Sequence, residues 1–166
     1  MYKDKEYSAK LLASDKKLDL ALLKTDLKNK GYLNFSYDPK KMQNIYAAGY
    51  PLGKFLSDDL KFTDGIISSL KGFEDNTNQI QISAAINLGN SGGPVINQSG
   101  ELVGVAVSGM DKGLTEGINF AIKSEAVKTF LTANKIKPSS SFYSRELKND
   151  KLLTILEEAT IYIFCN

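Results

Sequence analysis

Apolar residues occur along this chain in short runs, and in several runs they alternate with polar ones. The clearest case is QIQI at residues 79–82, whose two-residue period is typical of a half-buried strand. Glycine, asparagine, aspartate and proline separate the runs, as turns between short strands require. The pattern predicts strands at residues 6–13, 18–24, 45–49, 60–70, 79–82, 94–96, 102–107 and 117–122, of which the first two form a hairpin.

The period changes near the C-terminus. Ala126, Val127, Phe130 and Leu131 fall on one face of a predicted helix over residues 124–134. A linker is predicted at 137–141, then a helix over 145–158 that buries Leu152, Leu153 and Leu156, and an apolar run at 161–164 that is either a last strand or a tail. We therefore expect a mainly β domain over residues 1–136 and an appendage over 137–166.

Composition narrows the function classes. The chain has 166 residues, enough for one domain, and its 21 basic and 19 acidic residues leave a net charge of +2, which gives no electrostatic signature for nucleic acid. There is no apolar run long enough to span a bilayer and no secretion signal near Met1. With Cys165 alone and no histidine, neither an internal disulfide nor a metal site is expected, and no cofactor is implied.

One stretch carries candidate chemistry: Gly89-Asn90-Ser91-Gly92-Gly93. Small neighbours would let a carbonyl approach the Ser91 hydroxyl, while the N–H groups of Gly89 and Ser91 could donate to an oxyanion. The same letters also suit a plain glycine turn. They do not suit the nucleophile elbow of α/β-hydrolases, because two glycines, a proline and β-branched residues follow where that motif needs a helix.

The residues around this serine resemble the chymotrypsin-like serine proteases of the HtrA (Deg) type. The resemblance lies in AAINLGNSGGPV, in NQSGELVGV, in GINFAI and, upstream, in LDLALLK, AGYPLG and TDGIISSL. These matches follow one another in order over residues 6–131. They imply a trypsin-like antiparallel double β-barrel with an incomplete N-terminal barrel, which the predicted C-terminal helical segments follow. The tail is too short, and too poor in glycine, for a PDZ domain, so none is expected.

The resemblance also implies roles. Ser91 would be the nucleophile, Asp19 would orient the general base, and Gly89, Asn90 and Ser91 would form the oxyanion hole through the N–H groups of Gly89 and Ser91. Because Asn90 stands where the trypsin branch has an aspartate, activation by cleavage is not expected. The pocket holds no acid, which implies small or medium apolar side chains before the scissile bond; its expected residues are Ala85, Ile86, Asn87, Leu88, Val105, Ala106 and Val107.

The family's histidine precedes its aspartate, and this chain supplies none. Ser91 would then lack a base, so we expect negligible cleavage by this chain alone. A lysine base is disfavoured, because no lysine lies in an apolar run near Ser91.

Three functions stay open: a serine endopeptidase whose polypeptide extends upstream, a non-catalytic peptide-binding module, and a fragment that binds partners. A polypeptide ligand is expected, as is self-association or a complementing chain through an open barrel edge. The resemblance alone suggests a periplasmic or otherwise extracytoplasmic location.

Overall fold

The computed structural model of the chain describes residues 5–28, 31–51, 59–107, 117–140 and 145–164. Within these residues the chain forms short strands followed by two helices, in the order that the hydrophobic pattern predicts. The strands are β1 (Ala9–Asp15), β2 (Leu20–Thr25), β3 (Asn44–Gly49), β4 (Lys61–Ser69), β5 (Gln79–Ile82), β6 (Pro94–Asn97), β7 (Leu102–Val107) and β8 (Asn119–Lys123), and the helices are α1 (Ser124–Ala133) and α2 (Asn149–Ala159).

Six strands close into an antiparallel barrel in the order β3-β4-β5-β8-β7-β6. The alternation seen in QIQI decides which side chains fill it: Ile80 and Ile82 are fully buried, whereas Gln79 and Gln81 are half-buried. Because the barrel is closed, each of its strands has a neighbour on both sides. Its core consists of Ile45, Ala47, Ile67, Ile80, Ile82, Ala84, Ile86, Val95, Val103, Ala106 and Ala121.

Both helices cover the outer face of this barrel. Ala126 and Val127 of α1 pack with Phe120 and Ile122, so β7 and β8 are buried on both faces. Leu152 and Leu156 of α2 pack on Ala48 and Ile96, the outward-facing neighbours of Ala47 and Val95 in the barrel core. Helix α2 therefore lies across β3 and β6, close to the end of β3.

The strands β1 and β2 form a separate two-stranded sheet. Leu18 and Leu20, at the start of β2, pack against the cluster beneath α1, which attaches the hairpin to the barrel. Most of β1 is exposed, including Leu11 (56%) and Leu12 (50%). Within the described residues neither strand pairs with a strand of the barrel, so the hairpin's outer edges are open.

The C-terminal appendage is joined to the barrel rather than separated from it. Phe35 is buried and forms bridges to both Leu102 and Ser140, which places the predicted linker near the start of β7. Helix α2 begins at Asn149, four residues later than the hydrophobic pattern predicts, and residues 161–164 form no regular element. Neither helix among the described residues is long and apolar enough to cross a membrane.

Candidate active site

Ser91 lies in a loop, residues 88–93, that leads into β6 at the end of the barrel where β3 finishes; we call it the serine loop. The backbone of this loop is tied to its surroundings on two sides. The amide of Gly92 donates to Ala106 O at 2.8 Å, and Tyr50 N donates to Gly89 O at 3.3 Å. Within the loop, Gly93 N donates to Asn90 O at 2.9 Å. The loop is thereby fixed to β7 and to the residue that follows β3.

Two glycines explain why this loop has so few side chains. Gly92 has φ 82°, a left-handed conformation that costs an L-residue about 1–2 kcal/mol. Gly93 faces a different limit, because a Cβ there would collide with the carbonyl oxygen of Ala48 in β3. The close approach of the serine loop to β3 therefore requires glycine at position 93, and the backbone conformation at position 92 favours glycine.

The loop buries one polar side chain and exposes the next. Asn90 is 1% exposed, its backbone N–H donates to Asn87 O at 2.9 Å, and its side-chain Oδ1 has no hydrogen-bond partner among the described residues. Ser91 is exposed. The amides of Gly89 and Ser91 donate to no group within the described part of the chain. The loop thus presents the Ser91 hydroxyl and two N–H groups without an acceptor among the described residues. Stabilisation of an oxyanion requires N–H donors of this kind.

Ser91 opens onto a cleft of about 770 Å³. The described residues that line it come from three segments of the chain, namely Gly49 with Tyr50, the serine loop with Pro94, and residues 159–164. None of the described residues lining it is charged, so no lysine there could serve as a base. The described residues also contain no group of three histidine, cysteine, aspartate or glutamate side chains that could hold a metal.

Asp19 lies away from this cleft. It occupies the exposed turn between β1 and β2, with φ 54°, and makes no hydrogen bond or ion pair within the described residues. It does not line the cleft that contains Ser91. Its neighbours Leu18 and Leu20 pack on the cluster that includes Val107, one residue from the Ala106 carbonyl that holds the serine loop. The turn that contains Asp19 therefore lies on the α1 side of the barrel. Within the described residues Asp19 makes no hydrogen bond to Ser91 and does not line the same cleft.

The residues expected to line a specificity pocket divide into two groups. Leu88 is 80% exposed and lines the cleft with Ser91. Ile86 and Ala106 instead point into the barrel core, so their side chains are not available to a ligand. Residues outside the cleft lining are Ala85, Ile86, Asn87, Val105, Ala106 and Val107.

The sequence did not indicate that Tyr50 and residues 160–164, which we call the C-terminal tail, contribute to the cleft. Both line the cleft together with the serine loop. The apolar run at 161–164 was a signal that this segment packs on something. Its position depends on the packing of α2 against β3 and β6, which no local pattern shows.

The fold and the serine loop together define a class of protein. Residues 2–105, more than half of the chain, match the family described as trypsin-like peptidase domain. The chain therefore belongs to the trypsin-like peptidase domain family.

Relatives of the chain within that family include HtrA-type proteases. It is 40% identical over 139 residues to the Serine protease Do-like HtrA of Bacillus subtilis, a match that covers 77% of this chain and 30% of that protein. It is 39% identical over 130 residues to a probable periplasmic serine endoprotease, DegP-like, of Rhizobium meliloti, with coverage of 74% and 25%. The chain spans less than a third of these curated relatives.

A solved structure agrees with the fold. The HtrA-type protease AlgW with decapeptide superposes with a TM-score of 0.66 at 33% identity, over 76% of this chain and 40% of that one. The expectation of a mainly β, chymotrypsin-like fold with C-terminal helices and an HtrA-type relationship is confirmed.

Proposed function

We propose that this chain is a serine-endopeptidase domain of the HtrA type, in which Ser91 is the nucleophile and the amides of Gly89 and Ser91 form the oxyanion hole. The observation that carries the proposal is an exposed Ser91 beside two uncommitted amides on an uncharged cleft. A polypeptide is the ligand, because its carbonyl supplies the electrophile and its apolar side chains suit the lining. The decapeptide named for the AlgW structure supports this ligand class.

Cleavage requires a base that these 166 residues do not contain, since histidine is absent from them. Removing the base from a serine protease costs roughly 10⁶ in turnover, which leaves binding and oxyanion stabilisation. The chain by itself binds polypeptide without cleaving it at a useful rate. An imidazole from another segment or chain would take the Ser91 proton, and Asp19 would orient that imidazole.

A second candidate is a peptide-binding module that never cleaves. The absence of histidine favours it directly, because the cleft and the serine loop are complete without a base. The two candidates differ in one property of Ser91. In a protease domain the hydroxyl gains reactivity once a base is supplied, whereas in a binding module it does not.

The hairpin carries a further part of the proposal. Leu11 and Leu12 are exposed on β1, and the hairpin's outer edges are open within the described residues. Open edges with apolar side chains pair readily with another strand. The hairpin is a site where a second copy or a complementing chain binds. The strand that pairs with the hairpin edge would supply the missing base.

The proposed location is extracytoplasmic. Two relatives, from Rhizobium meliloti and from Rickettsia prowazekii, are described as probable periplasmic endoproteases. A compartment-resolved fractionation of the native protein tests this.

Chemical rescue tests the proposed function. A fluorophosphonate forms a bond between Ser91 Oγ and phosphorus and releases fluoride, and the hydroxyl proton passes to a base. We expect the chain alone to show no more adduct by intact mass than Ser91→Ala. Excess free imidazole should raise adduct formation in the chain and not in Ser91→Ala, because the cleft has room for it.

The two other outcomes are equally clear. Adduct at Ser91 without imidazole would contradict the claim of a missing base. No adduct under either condition would favour the binding module over the protease domain.

A further inference from the structure

The C-terminal tail forms the second wall of the Ser91 cleft. Helix α2 is held on the barrel by Leu152 and Leu156, which pack with Ala48 and Ile96, and it ends at Ala159. The chain leaves the helix at Thr160 in an extended conformation, with φ −102° and ψ 130°. Residues 160–164 then line the cleft together with the serine loop. The packing of α2 on β3 and β6 therefore sets the width of the cleft.

Three aromatic rings lie among the described residues that line this cleft. Tyr162 meets Tyr50 edge to face, with ring centroids 5.7 Å apart and an interplanar angle of 71°. Tyr162 also stacks with Phe164, with ring centroids 6.0 Å apart and an interplanar angle of 26°. Such pairs are favourable beyond the area that they bury, so the Tyr162 ring is held in place before any ligand arrives.

The same wall contains an unsatisfied polar group. Thr160 lines the cleft and is 5% exposed, and its Oγ1 has no hydrogen-bond partner among the described residues. A buried hydroxyl without a partner is destabilising. Because this oxygen is buried, it lies beneath the surface that a ligand in the cleft would meet.

The size and charge of the cleft limit what it can take. A volume of about 770 Å³ exceeds that of any one side chain and suits several residues of an extended peptide. No described residue of its lining is charged, so a lysine or aspartate side chain placed here would lose water without gaining a partner. An aromatic side chain would instead meet the rings of Tyr50, Tyr162 and Phe164.

We propose that residues 160–164, with Tyr50, form a specificity wall. This wall selects peptides that have a phenylalanine or tyrosine adjacent to the peptide bond positioned at Ser91. The ring of that side chain packs on Tyr162. The proposal rests on the proposed function, because the serine loop holds the peptide in the cleft.

Three blocked hexapeptides test the specificity wall. They consist of alanine and serine and differ at one position, which is phenylalanine, alanine or lysine. Affinity for the full chain is measured by titration, with the backbone amide resonances followed by NMR. We expect the phenylalanine peptide to bind about tenfold more tightly than the alanine peptide, and the lysine peptide no better than the alanine peptide. Amides of both the serine loop and residues 161–164 should shift.

Variants test the contribution of the Tyr162 ring. Tyr162→Ala should reduce the preference for phenylalanine to about twofold or less, whereas Phe73→Ala, an exposed aromatic outside the cleft, should leave it unchanged. Tyr162→Leu, which keeps apolar bulk without a ring, serves where the alanine variant unfolds. Thr160→Val alters only a buried hydroxyl and should leave the preference intact.

Separate readouts distinguish failure of this proposal from failure of the proposed function. Shifts confined to the serine loop, or a preference that Tyr162→Ala and Tyr162→Leu both retain, would overturn the specificity wall and leave the proposed function standing. Shifts confined to residues 161–164 would contradict the role of the serine loop in binding. If no peptide binds, the wall is overturned, and the fluorophosphonate experiment decides on Ser91 independently.

Discussion

The closed barrel and the N-terminal hairpin show how differently two β regions of one chain can be supported. Each barrel strand has neighbours on both sides, and Ile45, Ile80 and Ile82 are fully buried inside. The hairpin has open edges within the described residues and leaves Leu11 and Leu12 half exposed. Closure satisfies the backbone donors and acceptors that an open sheet leaves to solvent or to another chain.

This difference matters for the candidate site, because its two predicted catalytic residues belong to different regions. The serine loop is bonded to the barrel through Ala106 and packed against Ala48. Asp19 lies in the exposed turn of the hairpin. The nucleophile half of the site therefore has the rigidity of the barrel, and the half that would orient a base depends on how the hairpin is completed.

The largest expected contrast is in stability. Ile82→Ala removes a fully buried side chain from the barrel core and should lower the free energy of unfolding by about 3–4 kcal/mol. Leu11→Ala in the exposed hairpin should change it by about 0.5 kcal/mol or less. Urea denaturation measures both. Equal losses would show that the hairpin is buried, for example in an oligomer, and would break the comparison.

The second contrast lies within the serine loop. Gly93→Ala introduces a Cβ against the Ala48 carbonyl, so β3 and the loop must separate, and we expect a loss of about 3 kcal/mol. Gly92→Ala meets no atom within 4 Å and should lose only the strain of its positive φ, about 1 kcal/mol. Thermal unfolding of the pair tests whether the loop is packed on the barrel; similar losses would contradict it.

Association should depend on the hairpin. Replacing Leu11 and Leu12 together by lysine places charges along the open sheet and should weaken self-association about tenfold or more. Ile136→Lys, at an exposed apolar residue after α1, is the matched control and should leave association unchanged. Sedimentation velocity over a range of concentrations measures the effect. A wild-type chain that stays monomeric throughout would remove the association proposal.

The smallest expected effect is a gain. Thr160→Val replaces a buried hydroxyl that lacks a partner with an isosteric methyl group, so the free energy of unfolding should rise by about 1 kcal/mol. Thr154→Val on the exposed face of α2 is the control and should give no gain, because its hydroxyl already donates to Asp150 O at 2.9 Å. A loss in Thr160→Val would mean that its hydroxyl is satisfied in solution.

Local patterns predicted most of the strands, and the errors have local causes. The bounds of β5 and β7 were predicted correctly from alternation and from an unbroken apolar run. The hairpin turn lies at residues 16–19, two residues later than expected. Asp15 Oδ1 accepts hydrogen bonds from the amides of Lys17 and Leu18, and this side-chain turn moves Asp19 out of the strand.

The cleft could be predicted only on the serine side. The glycines and Ser91 are contiguous, so their motif is visible in the sequence. The part of the cleft formed by residues 160–164 arises because Leu152 and Leu156 pack on β3 and β6, which are distant from α2 in the sequence. The inward orientation of Ile86 and Ala106 likewise depends on barrel closure, which the resemblance to a family implies but does not resolve for single side chains.

Native-state hydrogen exchange tests the central claim most directly, namely that the closed barrel holds the serine loop independently of the hairpin. We expect the amides of Gly92, Gly93 and β7 to be protected from exchange at least about a hundredfold more than those of β1. The reason is that only global unfolding of the barrel exposes them to solvent. Equal protection in β1 and in the serine loop would contradict the claim, since the two regions would then open as one unit.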